Sequence, residues 1–139
     1  MLDPFTGGYL WTMRIAIGSD HAGFALKEQL VGHLRGTGAE VRDNGTHADA
    51  STDYPGYAHA VASEVAEGSA DLGVVICGSG NGVNITANKH HVVRSALAWN
   101  VEVAEFARQH NNANFLALPA RYLSAKEAFA VVDAFLAAA

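Results

Sequence analysis

The densest concentration of chemically useful residues in the chain is Cys77-Gly78-Ser79-Gly80-Asn81-Gly82. Three glycines alternating with small polar residues let successive backbone N–H groups turn into one concavity, which suits a phosphate or a developing oxyanion. The spacing is G-x-G-x-G and no Gly-Lys-Ser/Thr follows, so neither the dinucleotide fingerprint nor a Walker loop is present. Cys77 heads the loop. A thiolate there can act as nucleophile or general base with oxyanion donors within one loop's reach. Two plainer readings stand beside this one: a strand-to-helix turn that needs glycine, and a small buried apolar side chain, the commonest fate of a free cysteine.

Other candidates lie elsewhere in the chain. Gly18-Ser19-Asp20-His21-Ala22-Gly23 sets a carboxylate beside an imidazole; Asp20 would equally serve to cap a helix and His21 to face solvent. His110-Asn111-Asn112 closes a helical stretch, where His and Asn are also ordinary C-terminal residues. Arg121 can grip an anion with two parallel N–H groups or simply lie on the surface. Asp53-Tyr54-Pro55 reads as a helix start with proline in the first turn, and the Tyr54 hydroxyl is available to a ligand. His90 and His91 are adjacent, so their side chains diverge, and no H-E-x-x-H spacing occurs. Neither a metal site nor a cofactor is expected.

These residues need elements to hold them. Short apolar runs, Ile15 to Ile17, Ala39 to Val41, Leu72 to Ile76, Val92 to Ala98 and Phe115 to Leu118, alternate with segments of helical period. Leu26, Leu30 and Leu34 mark one stripe, Ala58, Val61, Ala62 and Val65 a second, and Val103, Ala104 and Ala107 a third. A short helix is expected over Val83 to Asn88. Ser124 and Glu127 make a capping box before Ala128, Val131, Val132 and Phe135. Runs apolar throughout, such as Leu72-Gly73-Val74-Val75-Ile76, indicate strands covered on both faces. The pattern predicts an α/β, three-layer, doubly wound domain with a parallel sheet of about five strands. In such a sheet ligands collect at the carboxyl ends of the strands, where the candidate loops fall.

Composition narrows the functional classes. The 139 residues are half apolar and carry 14 acids against 9 bases, a formal charge of -5, so one core is expected and no basic field exists for nucleic acid or an anionic membrane. The single cysteine excludes an intrachain disulfide and suits a reducing compartment. No basic region followed by a long apolar run opens the chain, so a cytoplasmic location is expected. Residues 1–12 lack periodicity and read as a flexible extension, leaving 13–139 as a single domain with Met13 as an alternative start.

Taken together, Ile15-Ala16-Ile17-Gly18-Ser19-Asp20-His21-Ala22-Gly23-Phe24, Asp53-Tyr54-Pro55, Ile76-Cys77-Gly78-Ser79-Gly80-Asn81-Gly82 with Ala87-Asn88-Lys89, and Arg108-Gln109-His110-Asn111-Asn112-Ala113-Asn114 closely resemble the type B ribose-5-phosphate isomerases, a family that includes galactose-6-phosphate isomerase subunits. The resemblance implies a Rossmann-like or flavodoxin-like domain and metal-independent interconversion of ribose 5-phosphate and ribulose 5-phosphate through an enediolate. By motif, it implies Cys77 as the base and His110 as the acid that opens the sugar ring. Ser79 and the amides of Gly78, Gly80, Asn81 and Gly82 would then steady the enediolate oxygen. Asp20, His21, Tyr54 and Asn111 would hold hydroxyls, and Arg121 would approach the phosphate. It also implies a homodimer whose sites are shared, with His110, Asn111 and Arg121 reaching in from the partner. Where some relatives carry a glutamate base after the glycine loop, this chain has Val83. Relatives also continue into a basic tail, whereas no arginine follows Arg121, so an extension of the natural protein past Ala139 is expected. Isomerisation of a six-carbon sugar phosphate (allose or galactose 6-phosphate), a non-catalytic phosphate-binding module and a thiol redox sensor remain as alternatives, the last weakened by the lack of a resolving cysteine.

Overall fold

The computed structural model describes residues 12–47 and 54–138. Five parallel strands, β1 (Arg14–Ser19), β2 (Glu40–Asp43), β3 (Leu72–Cys77), β4 (Ser95–Leu97) and β5 (Phe115–Pro119), form one sheet in the order β2-β1-β3-β5-β4. Helices α1 (Phe24–Gly36), α2 (Tyr54–Glu67), α3 (Asn81–Ala87), α4 (Val101–Asn111) and α5 (Ala125–Ala137) connect or follow them, with a 3-10 turn at Ala120–Tyr122 after β5. The expected three-layer α/β architecture is what forms. Its last two strands are exchanged relative to the simple flavodoxin order 2-1-3-4-5.

Alternation along the strands builds two cores. Ile15, Ile17, Val74, Ile76, Leu116 and Leu118 face α1, α4 and α5, burying Leu30, Leu34, Val131 and Phe135. Ala16, Val75, Cys77, Phe115 and Ala117 face α2 and α3, against Ala58, Val61, Ala62 and Val83. Each fully buried Leu, Ile, Val or Phe contributes about 1.5–3 kcal/mol relative to an exposed one, so both helical layers are fixed to the central strands. All six residues of β3 are buried, the outcome that its uninterrupted apolar run required.

Boundaries differ in places, each for a local reason. The run from Val92 begins pairing only at Ser95, because Val92 is exposed with φ at 62° and its carbonyl, like the Arg94 amide, is held by the Asn114 side chain. β2 is an edge strand with one buried residue, Val41, so it extends into polar Arg42 and Asp43 beyond the apolar stretch. α3 starts at Asn81, two residues early, because Gly80 turns left-handed and releases the chain into the helix. Ser124 caps α5 as expected: its Oγ accepts from Glu127 N at 3.1 Å and Glu127 accepts from Ser124 N at 2.9 Å. α2 does start at Tyr54. Asp53 and the Tyr54 side chain lie outside the described residues, as does nearly all of the expected extension.

Strand order places the crevice. From β1 the chain crosses through α1 to β2 on one side, and returns through α2 to β3 on the other, so β1 and β3 are neighbours whose connections leave in opposite directions. Their carboxyl ends, Ser19 opposite Ile76 and Cys77 opposite Pro119, form the switch point at which such sheets bind ligands.

Candidate active site

A cavity of about 300 Å³ opens at that point. Its walls are Asp20, His21 and Ala22 from the loop after β1, Cys77, Gly78, Ser79 and Gly82 from the loop after β3, and Arg121 from the turn after β5. Three of the loops that carried sequence candidates therefore meet in space.

The β3 loop is shaped by Gly80. Its φ is +79°, a region L side chains rarely adopt, and a Cβ there would lie 2.5 Å from Leu97 Cδ1 and 3.2 Å from the Leu118 carbonyl carbon. Only glycine lets the chain double back against β5. The reversal aims the Gly80 N–H at Cys77 Sγ, 3.1 Å away, and Asn81 N donates to Ser79 Oγ at 3.2 Å. Cys77 is buried and unpaired, its sulfur facing a backbone donor. Ser79 is exposed at the rim.

Opposite, the Asp20 N–H donates to the Ile76 carbonyl at 3.2 Å, tying the first loop to the third strand one residue before the cysteine. Asp20 Oδ1 accepts from Gly23 N at 2.9 Å, so the carboxylate shapes the turn before α1, but the helix N-cap is Gly23, with no side-chain cap bond, and not Asp20. His21 is exposed toward the cavity mouth. Arg121 lies across the glycine loop. Its amide donates to the Gly78 carbonyl at 3.0 Å, and a Cβ on Gly78 would touch its Nε at 3.0 Å. A bare backbone at Gly78 thus admits the guanidinium beside the cavity. One wall carries a cation, another a buried thiol, and backbone amides lie between them.

Arg121 corrects one expectation, because it lines the cavity of its own chain rather than pointing to a partner's. His110 and Asn111 are not brought there. α4 carries them to the amino edge of the sheet, where His110 meets Phe106 edge-on with ring centroids 5.1 Å apart. Asn111 instead helps line a larger cavity of about 360 Å³ with Asn88, Arg94 and Ser95. That cavity is lined by no thiol or carboxylate, and some of its polar groups are paired with one another: Asn88 bonds both the amide and the carbonyl of Ser95, and Arg94 Nε donates to the Asn111 carbonyl. Among the described residues no group of three His, Cys, Asp or Glu side chains gathers as a metal site, and no helix is long and apolar enough to cross a membrane.

Sequence reasoning passed over Lys27, which is fully buried against Asp43. Its place in the α1 stripe, one residue after Leu26, was the available signal. Also missed was an aromatic groove beside the site, formed by Leu97, Trp99, Pro119 and Tyr122 and sharing Ser79 with the cavity.

A doubly wound parallel sheet whose switch point sets a thiol and backbone donors facing a guanidinium defines an α/β enzyme for small anionic substrates. Comparison with known proteins makes this specific. Residues 15–139 match the family described as Ribose/Galactose Isomerase, and the chain belongs to it. It is 46% identical to ribose-5-phosphate isomerase B of Mycolicibacterium paratuberculosis over 89% of this chain and 79% of that one. With the Escherichia coli protein of the same name it shares 45% identity, over 90% and 84% of the two chains. A crystal structure of a ribose 5-phosphate isomerase from Thermotoga maritima superposes with a TM-score of 0.88 at 46% identity, covering 90% of this chain and 86% of that one. The Mycoplasma genitalium ribose-5-phosphate isomerase B with bound ribulose-5-phosphate does so with a TM-score of 0.88 at 42% identity, covering 93% and 86%.

Proposed function

We propose that this chain is an aldose–ketose isomerase that interconverts ribose 5-phosphate and ribulose 5-phosphate, with Cys77 as the general base. The observation that carries the reading is the meeting of Cys77, the glycine loop and Arg121 in one cavity, in a chain whose relatives bear this activity in their names.

Isomerisation moves one proton between C2 and C1 of the open-chain sugar. Cys77 as thiolate takes the C2 proton of the aldose, the C2–H electron pair becomes the C1–C2 double bond of an enediolate, and the carbonyl oxygen gains the charge. Return of the proton to C1, with transfer of the hydroxyl proton from O2 to O1, gives the ketose. In this reading the cavity-lining residues Gly78, Ser79 and Gly82 of the loop meet the enediolate oxygen, the role for which fixed donors are most effective, while the Gly80 and Asn81 amides are directed to Cys77 Sγ and Ser79 Oγ. Arg121 and His21 at the mouth suit the phosphate, and Asp20 a sugar hydroxyl.

Opening the furanose ring needs an acid, and here a second copy supplies it. His110 and Asn111 stand at the far edge of their own sheet, so they serve a site only across a dimer interface. The homodimer with shared sites is thus part of the proposal. A single unpaired thiol suits a reducing compartment and supports a cytoplasmic site of action.

The direct test is ketose formation from ribose 5-phosphate by purified protein in the presence of a chelator, with kcat/KM compared across ribose 5-phosphate, allose 6-phosphate and galactose 6-phosphate. Preference for the pentose is expected. A preference for either hexose would change the substrate, and tight binding without turnover on any of the three would make the chain a binding module.

A further inference from the structure

Lys27 is the only fully buried charged side chain among the described residues, and the proposed chemistry leaves it unused. It sits in the first turns of α1, immediately after the Asp20–Gly23 loop, and its amide donates to the Gly23 carbonyl at 2.8 Å. Its Nζ lies 2.9 and 2.7 Å from the two carboxylate oxygens of Asp43, 2.8 Å from Glu28 Oε1 and 5.4 Å from the centre of the Phe24 ring. Asp43 is the last residue of β2, at the carboxyl edge where the cavity opens.

Asp43 does more than neutralise the lysine. Its Oδ1 also accepts the Gly45 N–H at 2.9 Å. The Gly45 carbonyl in turn accepts from Ser19 N at 2.7 Å, and Thr46 N donates to the Ser19 carbonyl at 2.8 Å. The strap of residues 44–46 therefore grips Ser19 from both directions just before Asp20, and Asp20 is tied on its other side to Ile76. A buried ion pair is a poor source of net stability, because desolvation offsets its attraction and apolar residues of similar volume serve as well. What a carboxylate supplies here and a leucine would not is the acceptor for Gly45.

We propose that Asp43 is a positioning residue for the active site: through Gly45 and Ser19 it sets the Asp20–His21 rim of the cavity opposite Cys77. Its kinetic consequence rests on the isomerase reading above, while its structural consequence does not. Since the rim is assigned to holding substrate, loosening it raises KM more than it lowers kcat.

Two double variants separate positioning from charge pairing. Lys27→Met/Asp43→Asn removes both charges but keeps an acceptor for Gly45; Lys27→Met/Asp43→Leu removes the acceptor as well. With both folded by circular dichroism, amide hydrogen exchange at Gly45 and Ser19 is expected to stay within about threefold of wild type in the asparagine variant and to accelerate at least about tenfold in the leucine variant. KM for ribose 5-phosphate is expected to follow the same split, rising about tenfold only in the leucine variant, with kcat changed less than about threefold. Equal exchange in the two variants, or an equal rise in KM, overturns the proposal and leaves the pair a packing element. If wild-type protein turns over no sugar phosphate, the isomerase reading fails and the exchange comparison alone decides the clamp. Should the leucine variant not fold, Lys27→Met/Asp43→Ala takes its place with the same two outcomes.

Discussion

The Gly80 backbone N–H donates to Cys77 Sγ at 3.1 Å, across the turn that joins β3 to α3. Residue 80 can do this because its φ of +79° folds the loop back over the end of the strand. The cysteine is thereby held at one position, with a donor aimed at the sulfur that carries the charge when the base is deprotonated.

Replacing the thiol removes the base without disturbing the loop. Cys77→Ala is expected to lower kcat/KM by about 10²- to 10⁴-fold, the usual contribution of general base catalysis, while the thermal midpoint moves little because alanine fits a small buried site. Initial rates of ketose formation and a melting curve on the same preparation check this. Activity in Cys77→Ala equal to wild type would remove Cys77 from the mechanism.

The turn itself is tested at Gly80. Alanine there must adopt a left-handed φ and place a Cβ 2.5 Å from Leu97 Cδ1, for an expected loss of about 1–3 kcal/mol in stability. Denaturant unfolding measures the loss. Activity should fall well beyond what the unfolded fraction explains, since the sulfur loses its donor.

Arg121 is expected to bind the phosphate rather than take part in proton transfer. Arg121→Lys keeps the charge but loses the planar two-pronged donor, so KM for ribose 5-phosphate should rise about tenfold with kcat nearly unchanged, and inhibition by inorganic phosphate should weaken in parallel. A fall in kcat at constant KM would assign it to the reacting atoms instead.

Acid sensitivity has a named source at the opposite edge of the sheet. Arg14 bonds Asp71 through its amide at 2.8 Å and through Nε and Nη2 at 3.3 and 2.9 Å. These hydrogen bonds, the guanidinium's first, hold the Asp71 carboxyl below the ordinary carboxylate range. The native state thus favours the ionised form, and the stabilisation is complete above the unfolded value of about 3.9 and fades as pH falls through the lower native one. Asp71→Asn should therefore cost stability at pH 6, and its difference from wild type should shrink toward zero in strongly acidic buffer. Denaturant midpoints measured across that range check it.

Subunit sharing has its own signature. A His110→Ala chain and a Cys77→Ala chain are each expected to be nearly inactive, and mixing them under exchange conditions should restore part of the activity, because one mixed site in a heterodimer combines an intact Cys77 with an intact partner His110. No recovery in a demonstrated heterodimer would place both residues in one subunit's site or remove His110 from the reaction.

Much of this molecule is legible in its amino-acid sequence. Short apolar runs mark the five strands and period-3.6 patterning marks the helical stripes, because burial on two faces or one dictates where apolar side chains recur. The loop Cys77 to Gly82 is recognisable too, since a backbone that must turn left-handed and pass close to β5 leaves few residue types besides glycine. Ser124 with Glu127 announces the start of α5, since a cap is a contact between residues close in sequence.

Other features were settled only by the tertiary structure. Which loops share a cavity followed from strand order, and the β2-β1-β3-β5-β4 arrangement put Arg121 against Gly78 while carrying His110 and Asn111 to the opposite edge. The place of Lys27 beside Leu26 in α1 was the one local signal, and only packing encloses it against Asp43, sixteen residues on, in a neighbouring element. The physical division is one of range. Backbone conformation and amphipathic period are written locally, so the sequence determined the elements and their motifs. Pairing of charges and convergence of loops depend on contacts between distant segments, and those were decided only when the sheet was assembled.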